Sequence, residues 1–351
     1  MLQRGFFVSC RVPAQSIFHR AIPGFINKLN ALPNPVPGME GYPAHYLQRI
    51  REHAIYYLQI YADMLQNATQ KLSSATDFGL LDVGSGNGLL GIFAKYCNVK
   101  NVVLLDSDNR FVEASKTLAT HLHIPVSHFI TGEISELFKL NELPKIDVVA
   151  GSDMIEHVYD LSKFLRMLAQ LNPSLTVVFS TAANAENPVT RRKMNRIQVK
   201  DEYFGDDDPY AEDEGKTIEP YIRLREKIIS GYFPGLDEDT LNMLTTATRG
   251  MCKEDILNAV NHYMKTNEKP IPAPGNNTCH PYTGSWSERL YSLKEYRSRF
   301  AENGFEIDFF NGFYNQWEPG IKGVVKKMLN RIITIAGFKF SPYFIIRGNK
   351  K

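Results

Sequence analysis

Phe78-Gly-Leu-Leu-Asp-Val-Gly-Ser-Gly-Asn-Gly-Leu-Leu-Gly91 is a short apolar run that ends in closely spaced glycines. The run from Leu80 to Val83 predicts a buried strand, because so short an apolar stretch before glycines fits a parallel-sheet strand better than a helix. The glycines at 84, 86 and 88 let the backbone adopt positive φ angles and come close to a ligand. Amide groups at the start of the next helix would face that ligand. A strand, a ligand-binding turn and a helix are therefore predicted.

The glycine spacing fits two nucleoside cofactors. Gly86, Gly88 and Gly91 satisfy the G-x-G-x-x-G pattern of a dinucleotide site. Asp82 lies two residues before Gly84, and the resulting D-x-G-x-G-x-G resembles motif I of the class I S-adenosylmethionine (SAM) methyltransferases. SAM carries an ammonium group and no pyrophosphate, and an acid at the strand end can accept that ammonium. The acid therefore favours SAM.

Strands and helices alternate after this turn. The alternation predicts a parallel, doubly wound sheet, and ligands of such sheets bind at the carboxyl ends of the strands. A closing pair of strands resembles the end of the methyltransferase fold, so the expected fold class is an α/β, Rossmann-like, seven-stranded methyltransferase sheet. The predicted strands are Leu80–Val83, Asn101–Leu105, Val126–Thr131, Ile146–Ala150, Leu175–Ser180, Phe305–Phe310 and Tyr343–Arg347.

Acidic residues follow the second and third predicted strands. Asp106 lies 18 residues past Gly88, where a carboxylate can accept both ribose hydroxyls of either NAD or SAM; a helix N-cap is its alternative role. Glu133 stands where the resembled family places an acid against the adenine amino group, although it or Thr131 would also suit a cap. The resemblance implies a cofactor-binding set of Asp82, Gly84, Ser85, Gly86, Gly88, Asp106, Ser107, Glu133, Ile134 and Asp153.

The segment after the fourth strand, Ser152-Asp-Met-Ile-Glu-His-Val158, resembles the E-H-V segment of the ubiquinone-biosynthesis-type O-methyltransferases. Some of these enzymes bind a divalent metal through an acid-x-x-Glu-His arrangement, which implies Asp153, Glu156 and His157 as ligands of Mg²⁺ or Zn²⁺. On one helical turn, this spacing would bring the three side chains to one side. In the alternative the segment only lines the SAM pocket. His157, with Glu156 beside it, is then the candidate general base, because histidine titrates near neutral pH.

The sequence divides into four regions. We expect an N-terminal arm (1–43), a helical cap with the SAM-binding core (44–184), a helical insertion after the fifth strand (185–285) and the C-terminal part of the fold (286–351). Residues 1–39 contain no acid, which is typical of an organelle transit peptide, but a loosely held, proline-rich arm is favoured. Ala44–Lys71 has the apolar spacing of one long helix that caps the cofactor site or packs on the sheet edge.

The insertion has helical character. Three helices are predicted at Pro220–Tyr232, Asp237–Arg249 and Lys253–Lys265, after a solvated acidic loop at 201–214. We expect a lid or substrate module, with a passive dimer surface as the alternative. The loop Asn277–Arg289 resembles loops of bacterial class I methyltransferases of unassigned substrate, so the resemblance covers most of the chain without naming an acceptor.

Residues 321–335 form the pattern of a basic amphipathic helix. Such a helix can lie on an anionic membrane, although packing against the sheet explains the apolar stripe equally well and is favoured. The formal net charge of +2 gives no global field for nucleic acid. The four scattered cysteines indicate a reducing compartment. We therefore expect a cytoplasmic protein, with peripheral membrane contact through 321–335 as the alternative to packing.

The predicted reaction is SAM-dependent methyl transfer to a small-molecule or lipid-like acceptor, at an oxygen atom. Two other functions fit parts of the pattern. An NAD(P)-dependent oxidoreductase would use the same glycine spacing and the same ribose acid. A module that binds SAM without turnover would keep the cofactor residues alone.

Overall fold

The computed structural model describes residues 16–142, 144–205 and 218–351. A seven-stranded sheet has the strand order β3-β2-β1-β4-β5-β7-β6. Strands β1 to β5 pair in parallel, and β7 lies antiparallel between β5 and β6. The predicted α/β sheet and its closing strand pair are confirmed. The strands are Gly79–Val83 (β1), Asn101–Asp106 (β2), His128–Thr131 (β3), Val148–Ser152 (β4), Thr176–Thr181 (β5), Phe305–Asn311 (β6) and Phe344–Lys350 (β7).

Helices cover the sheet and build the insertion after β5. They are Ile17–Asn30 (α1), Gly41–Glu52 (α2), Ala54–Thr69 (α3), Leu89–Tyr96 (α4), Asn109–His121 (α5), Leu161–Leu168 (α6), Pro188–Tyr203 (α7), Tyr221–Tyr232 (α8), Glu238–Ala247 (α9), Lys253–Thr266 (α10), Leu293–Glu302 (α11) and Ile321–Ala336 (α12). In the described part of the chain, none of the helices has the length and apolar character that crossing a membrane requires.

The central strands are mostly apolar because helices cover both faces of the sheet. Leu80 of β1 packs with α1, α3 and α4 on one face, and its neighbour Leu81 packs with α6 and α11 on the other. All five residues of β1 are buried. The continuous apolar run that predicted β1 is therefore the direct result of two covered faces.

The N-terminal region differs from the sequence prediction. Residues 1–15 of the expected arm lie outside the described residues, but α1 is a helix whose Phe18, Ile22, Phe25 and Leu29 are buried. The prediction of a loose arm is wrong here, because these four side chains recur with the helical period and fill the core. Ser16 caps the helix by accepting from the His19 amide.

The single helix predicted over Ala44–Lys71 is wrong as well. The helix breaks at His53, whose backbone leaves helical geometry (φ −123°, ψ 27°). This break lets α3 pack across the sheet while α2 turns toward α5. The Pro43 carbonyl accepts a 2.9 Å hydrogen bond from the Asn87 side chain. The cap therefore joins the glycine turn directly.

The insertion contains the three predicted helices and one that the sequence reading missed. α8, α9 and α10 surround a small apolar core made of Ile228, Ile229, Leu244, Ile256 and Val260. The missed helix, α7, contains four basic residues close together, Arg191, Arg192, Lys193 and Arg196. Most of the predicted acidic loop after it lies outside the described residues.

A buried ion pair joins α7 to the rest of the insertion. The guanidinium of Arg225 donates to both oxygens of Glu202 and, through Nε, to the Thr245 carbonyl at 3.0 Å. The Thr278 hydroxyl donates to Glu202 Oε2 at 2.7 Å. This network fastens the insertion to the loop over 277–291.

Candidate active site

The glycine turn lies between β1 and α4 at the carboxyl edge of the sheet. Gly84, Gly86 and Gly88 have φ angles of 61°, 51° and 71°, which L side chains rarely adopt. A Cβ atom on Gly88 would lie 2.6 Å from Leu104 Cδ1 and 2.8 Å from Ser115 Oγ. Only glycine fits there, so the turn lies directly against β2.

Asp82 lies behind the turn. Its side chain is buried, and Oδ2 accepts a 2.9 Å hydrogen bond from the Gly91 amide in the first turn of α4. Burial raises the pKa of this carboxyl well above its usual value, while the Gly91 hydrogen bond opposes the rise. Asp82 therefore holds α4 against β1. Its contact with a cofactor ammonium group stays a prediction.

Asp106 ends β2 with its carboxylate beside the glycine turn. Oδ2 accepts from the Gly86 amide at 2.8 Å, and Oδ1 accepts from the Asp108 amide at 2.9 Å. A carboxylate has about four acceptor positions, so each oxygen can still accept one hydroxyl. Asp106 is not the helix N-cap, because Asp108 caps α5 by accepting from the Arg110 amide.

The third strand brings Glu133 next to Asp106. The Gly132 amide donates to the Asp106 carbonyl at 2.8 Å, and Glu133 follows with an exposed side chain that makes no cap hydrogen bond. Ser107 is exposed and Ile134 is buried. The predicted ribose and adenine acids therefore lie on neighbouring chain segments.

Two polar atoms of the glycine turn have no hydrogen-bond partner in the described part of the chain. They are Ser85 Oγ and Asn87 Oδ1, and both are buried. Buried polar atoms are almost always hydrogen-bonded, so an unpaired pair beside a cradle of glycines fits the polar end of a ligand.

The second half of the site begins where β4 ends. Asp153 follows Ser152 with a φ of 49°, and its amide donates to the Ser180 carbonyl at 3.0 Å. The next residues, Ile155–His157, form a 3₁₀ turn. Asp153 precedes this turn in left-handed geometry. The prediction that Asp153, Glu156 and His157 lie on one helical turn, and so point to one side as metal ligands, is therefore wrong.

A different acid joins Glu156 and His157. In the described residues, ligand atoms of Glu156, His157 and Glu288 all lie within 4.8 Å of one another. The loop that carries Glu288 is fixed by two backbone hydrogen bonds, from Trp286 N to the His157 carbonyl (3.1 Å) and from Arg289 N to the Glu156 carbonyl (3.2 Å). Glu288 has a φ of 51°, which costs about 1–3 kcal/mol for such a residue.

The hydrogen bonding of His157 defines which of its nitrogens is available. Nδ1 lies 2.7 Å from the Trp286 carbonyl oxygen. A carbonyl only accepts, so Nδ1 carries the hydrogen and Nε2 of the neutral ring keeps its lone pair. This arrangement suits a general base, and it also suits a metal ligand whose other ring nitrogen is held by the backbone.

The acids of the cluster oppose one another's ionisation. Both carboxylate oxygens of Glu156 are buried without a hydrogen-bond partner among the described residues. Burial, followed by the charges of Asp153 and Glu288, raises the pKa of Glu156 well above its usual value. Loss of solvation among the surrounding protein atoms, followed by the charge of Glu288, raises the pKa of Asp153 to about 6. The residue nevertheless keeps an exposed surface.

Tyrosines of the helical cap and a lysine of the insertion complete the surroundings of Asp153. Burial raises the hydroxyl pKa values of Tyr46, Tyr56 and Tyr57, and the charge of Asp153 adds to the rise. Lys193 on α7 lowers the pKa of Asp153. The sequence reading missed these four residues, since the helical period of α2, α3 and α7 does not show which face meets the sheet edge.

Glu156→Gln should make stability less dependent on pH. A carboxyl whose pKa is raised in the folded state binds more protons folded than unfolded. As the pH rises from the usual pKa to the raised one, the free energy of unfolding of the wild type therefore falls by up to about 1.4 kcal/mol per pH unit. The uncharged glutamine does not titrate, so the variant should gain stability relative to the wild type as the pH rises from about 4 to about 8. Urea unfolding across this range measures the difference.

Glu306→Gln is the matched control, because Glu306 is exposed on β6. Its unfolding free energy should follow that of the wild type at every pH. A difference between Glu156→Gln and wild type that stays constant with pH would show that the Glu156 carboxyl ionises normally.

Comparison with known proteins adds a family match. A family model described as "Methyltransferase domain" matches residues 50–230, just over half of the chain. No curated protein matches the chain. Among solved structures, a putative SAM-dependent methyltransferase from Listeria monocytogenes is 13% identical, with a TM-score of 0.40 over 83% of this chain and 99% of that one. Magnesium protoporphyrin IX methyltransferase from Synechocystis PCC 6803, solved with bound SAH, is 13% identical, with a TM-score of 0.40 over 95% of this chain and 98% of that one.

Proposed function

Because the chain belongs to the SAM-dependent methyltransferases, we propose that it transfers the SAM methyl group to an oxygen atom of a small-molecule or lipid-like acceptor. The observation that carries this proposal is His157, whose Nδ1 is held by the Trp286 carbonyl while Nε2 keeps its lone pair. Oxygen acceptors need a base, because a hydroxyl loses its proton as it is methylated. The glycine spacing and the acid after the second strand also fit an oxidoreductase, but membership of the methyltransferase family favours SAM as the cofactor.

The chain offers groups that fit each part of SAM. Asp106 retains one acceptor position on each oxygen for the two ribose hydroxyls, and Glu133 is exposed beside it for the adenine amino group. Ser85 Oγ and Asn87 Oδ1, both unpaired, suit the amino-acid end. The sulfonium of SAM supplies an already activated methyl group, so the protein has to orient the acceptor and exclude water.

His157 is the proposed base for the acceptor proton. Taking that proton makes the imidazole ring positive, and the neighbouring carboxylate of Glu288 would stabilise it. The tyrosines of the helical cap, Tyr46, Tyr56 and Tyr57, feel the charge of Asp153 and would supply apolar ring surface as well as hydroxyls. These groups would limit the access of water to the acceptor.

A divalent cation is the second candidate role for this cluster. Two carboxylates and one imidazole suit Zn²⁺, and Mg²⁺ less well because it prefers oxygen ligands. The proposed ligands are Glu156, His157 and Glu288. A cation on His157 would exclude its use as a base. Methyl transfer that is unchanged in excess chelator would contradict the metal role and leave the base.

The proposed function is tested by adding the protein and methyl-labelled SAM to a cell extract. We expect label to enter a small-molecule or lipid fraction, in a product that mass spectrometry identifies as an O-methyl compound. Label on nitrogen, carbon, protein or nucleic acid would overturn the proposed acceptor. SAM binding without any label transfer would favour a binding module.

A further inference from the structure

Helix α12 exposes a continuous apolar face. Only Gly323 and Ile333 are buried in this 16-residue helix, and Ile321 and Ile335 are 81% and 91% exposed. At 3.6 residues per turn, its exposed large apolar side chains fall within about 100° of arc. The favoured interpretation from the sequence, that packing on the sheet explains this stripe, is wrong. The apolar stripe consists of Ile321, Val324, Val325, Met328, Ile332 and Ile335.

Basic residues flank the apolar stripe on both sides. Lys322 lies on one side of the stripe and Lys327 and Arg331 on the other, each about 70–110° from its centre. Lys326 is half-buried on the opposite face and pairs with Glu318. The helix contains no acidic residue. An apolar stripe with cations on both sides fits the surface of an anionic membrane, with apolar side chains among the acyl chains and cations at the headgroups.

The chain segments on either side of α12 place this helix at the edge of the sheet that carries the candidate active site. The helix lies in the connection from β6 to β7, and Phe344 at the start of β7 pairs with Thr181, the last residue of β5. The connection is therefore at the carboxyl edge of the parallel strands. Before the helix, the Phe313 ring meets Tyr56 of the cap at 5.6 Å. After it, the Phe338 carbonyl accepts from the Asn184 side chain at 2.9 Å.

We propose that the apolar stripe and its flanking cations are a docking surface for an anionic lipid membrane. The helix lies on the membrane, since no described helix is long and apolar enough to cross it. Docking at this edge brings the site to the lipid surface, where a lipid-like acceptor resides. That last link rests on the proposed function, whereas docking itself does not.

Vesicle flotation of the full-length protein tests the docking surface. We expect binding to phosphatidylcholine vesicles that contain about one quarter phosphatidylglycerol, and none to phosphatidylcholine alone. Lys327→Glu with Arg331→Glu should weaken binding by about 30-fold or more. Met328→Ser with Ile335→Ser should abolish it. Matched controls are Lys269→Glu and Ile271→Ser, at exposed positions outside α12, and these should bind as the wild type does.

Three results would overturn the proposal. The first is the absence of binding to anionic vesicles, and the second is equal binding to neutral ones. The third is a wild-type dimer in analytical ultracentrifugation that Met328→Ser with Ile335→Ser dissociates, since a second copy would then cover the stripe. Flotation uses neither SAM nor an acceptor, so its outcome is independent of whether methyl transfer occurs as proposed.

Discussion

His157→Ala is expected to lower the rate of methyl transfer by about 10²–10⁴-fold, the usual contribution of a positioned general base. The affinity for SAM and for its demethylated product should stay unchanged, because the groups proposed to hold the cofactor lie at the glycine turn and at the end of β2. Label transfer to the product found in the extract measures the rate, and calorimetry measures the affinity.

The pH dependence separates a base from a positioning role. Without His157, the acceptor hydroxyl has to ionise by itself, so the residual rate should rise about tenfold per pH unit below the acceptor's own pKa. His262→Ala is the matched control, since His262 is exposed on α10. A parallel loss of cofactor affinity in His157→Ala would indicate that the histidine supports the fold of the site.

Arg225→Met is expected to destabilise the protein by about 3–5 kcal/mol, because it leaves the Glu202 carboxylate buried without its cation. Both side chains are almost completely inaccessible to solvent. The change should also disturb the site. Gln198, on the same helix as Glu202, donates to the Glu288 carbonyl at 2.8 Å, so displacement of α7 would shift Glu288 relative to His157. Urea unfolding measures the stability.

Arg223→Met provides the comparison within the same helix. Arg223 pairs with Glu226 at 2.7 Å on the surface, and exposed pairs contribute about 0–1 kcal/mol. Replacing both buried partners, as Glu202→Leu with Arg225→Met, should recover most of the loss, since an apolar pair leaves no isolated charge. If Arg225→Met costs no more than Arg223→Met, the buried network does not hold the insertion as described.

Local sequence was sufficient for the first half of the site. The largely apolar run before the glycines predicts β1 because a strand covered on both faces is mostly apolar. The positive φ angles of the turn require glycine at positions 84, 86 and 88. Asp106 was predicted from its place at the end of the next strand, and adjacent parallel strands bring it to the turn. These features depend on neighbours in the chain or on the regular spacing of a sheet.

The second half of the site could not be predicted in the same way. Glu288 reaches Glu156 and His157 through a loop whose Trp286 carbonyl meets His157 across 129 residues of sequence. Its left-handed backbone is imposed by that loop, since glutamate has no preference for it. The prediction of Asp153 as a third ligand failed because its positive φ breaks the helical spacing on which that prediction depended.

Sequence by itself determined the strands, the glycine turn, the position of Asp106 at the end of β2 and the amphipathic character of 321–335. The tertiary structure decided which acids meet His157 and which face of α12 remains uncovered. The physical reason is the same in both cases. Periodicity and turn chemistry are properties of adjacent residues, whereas burial and the meeting of charges depend on which distant segments pack against them.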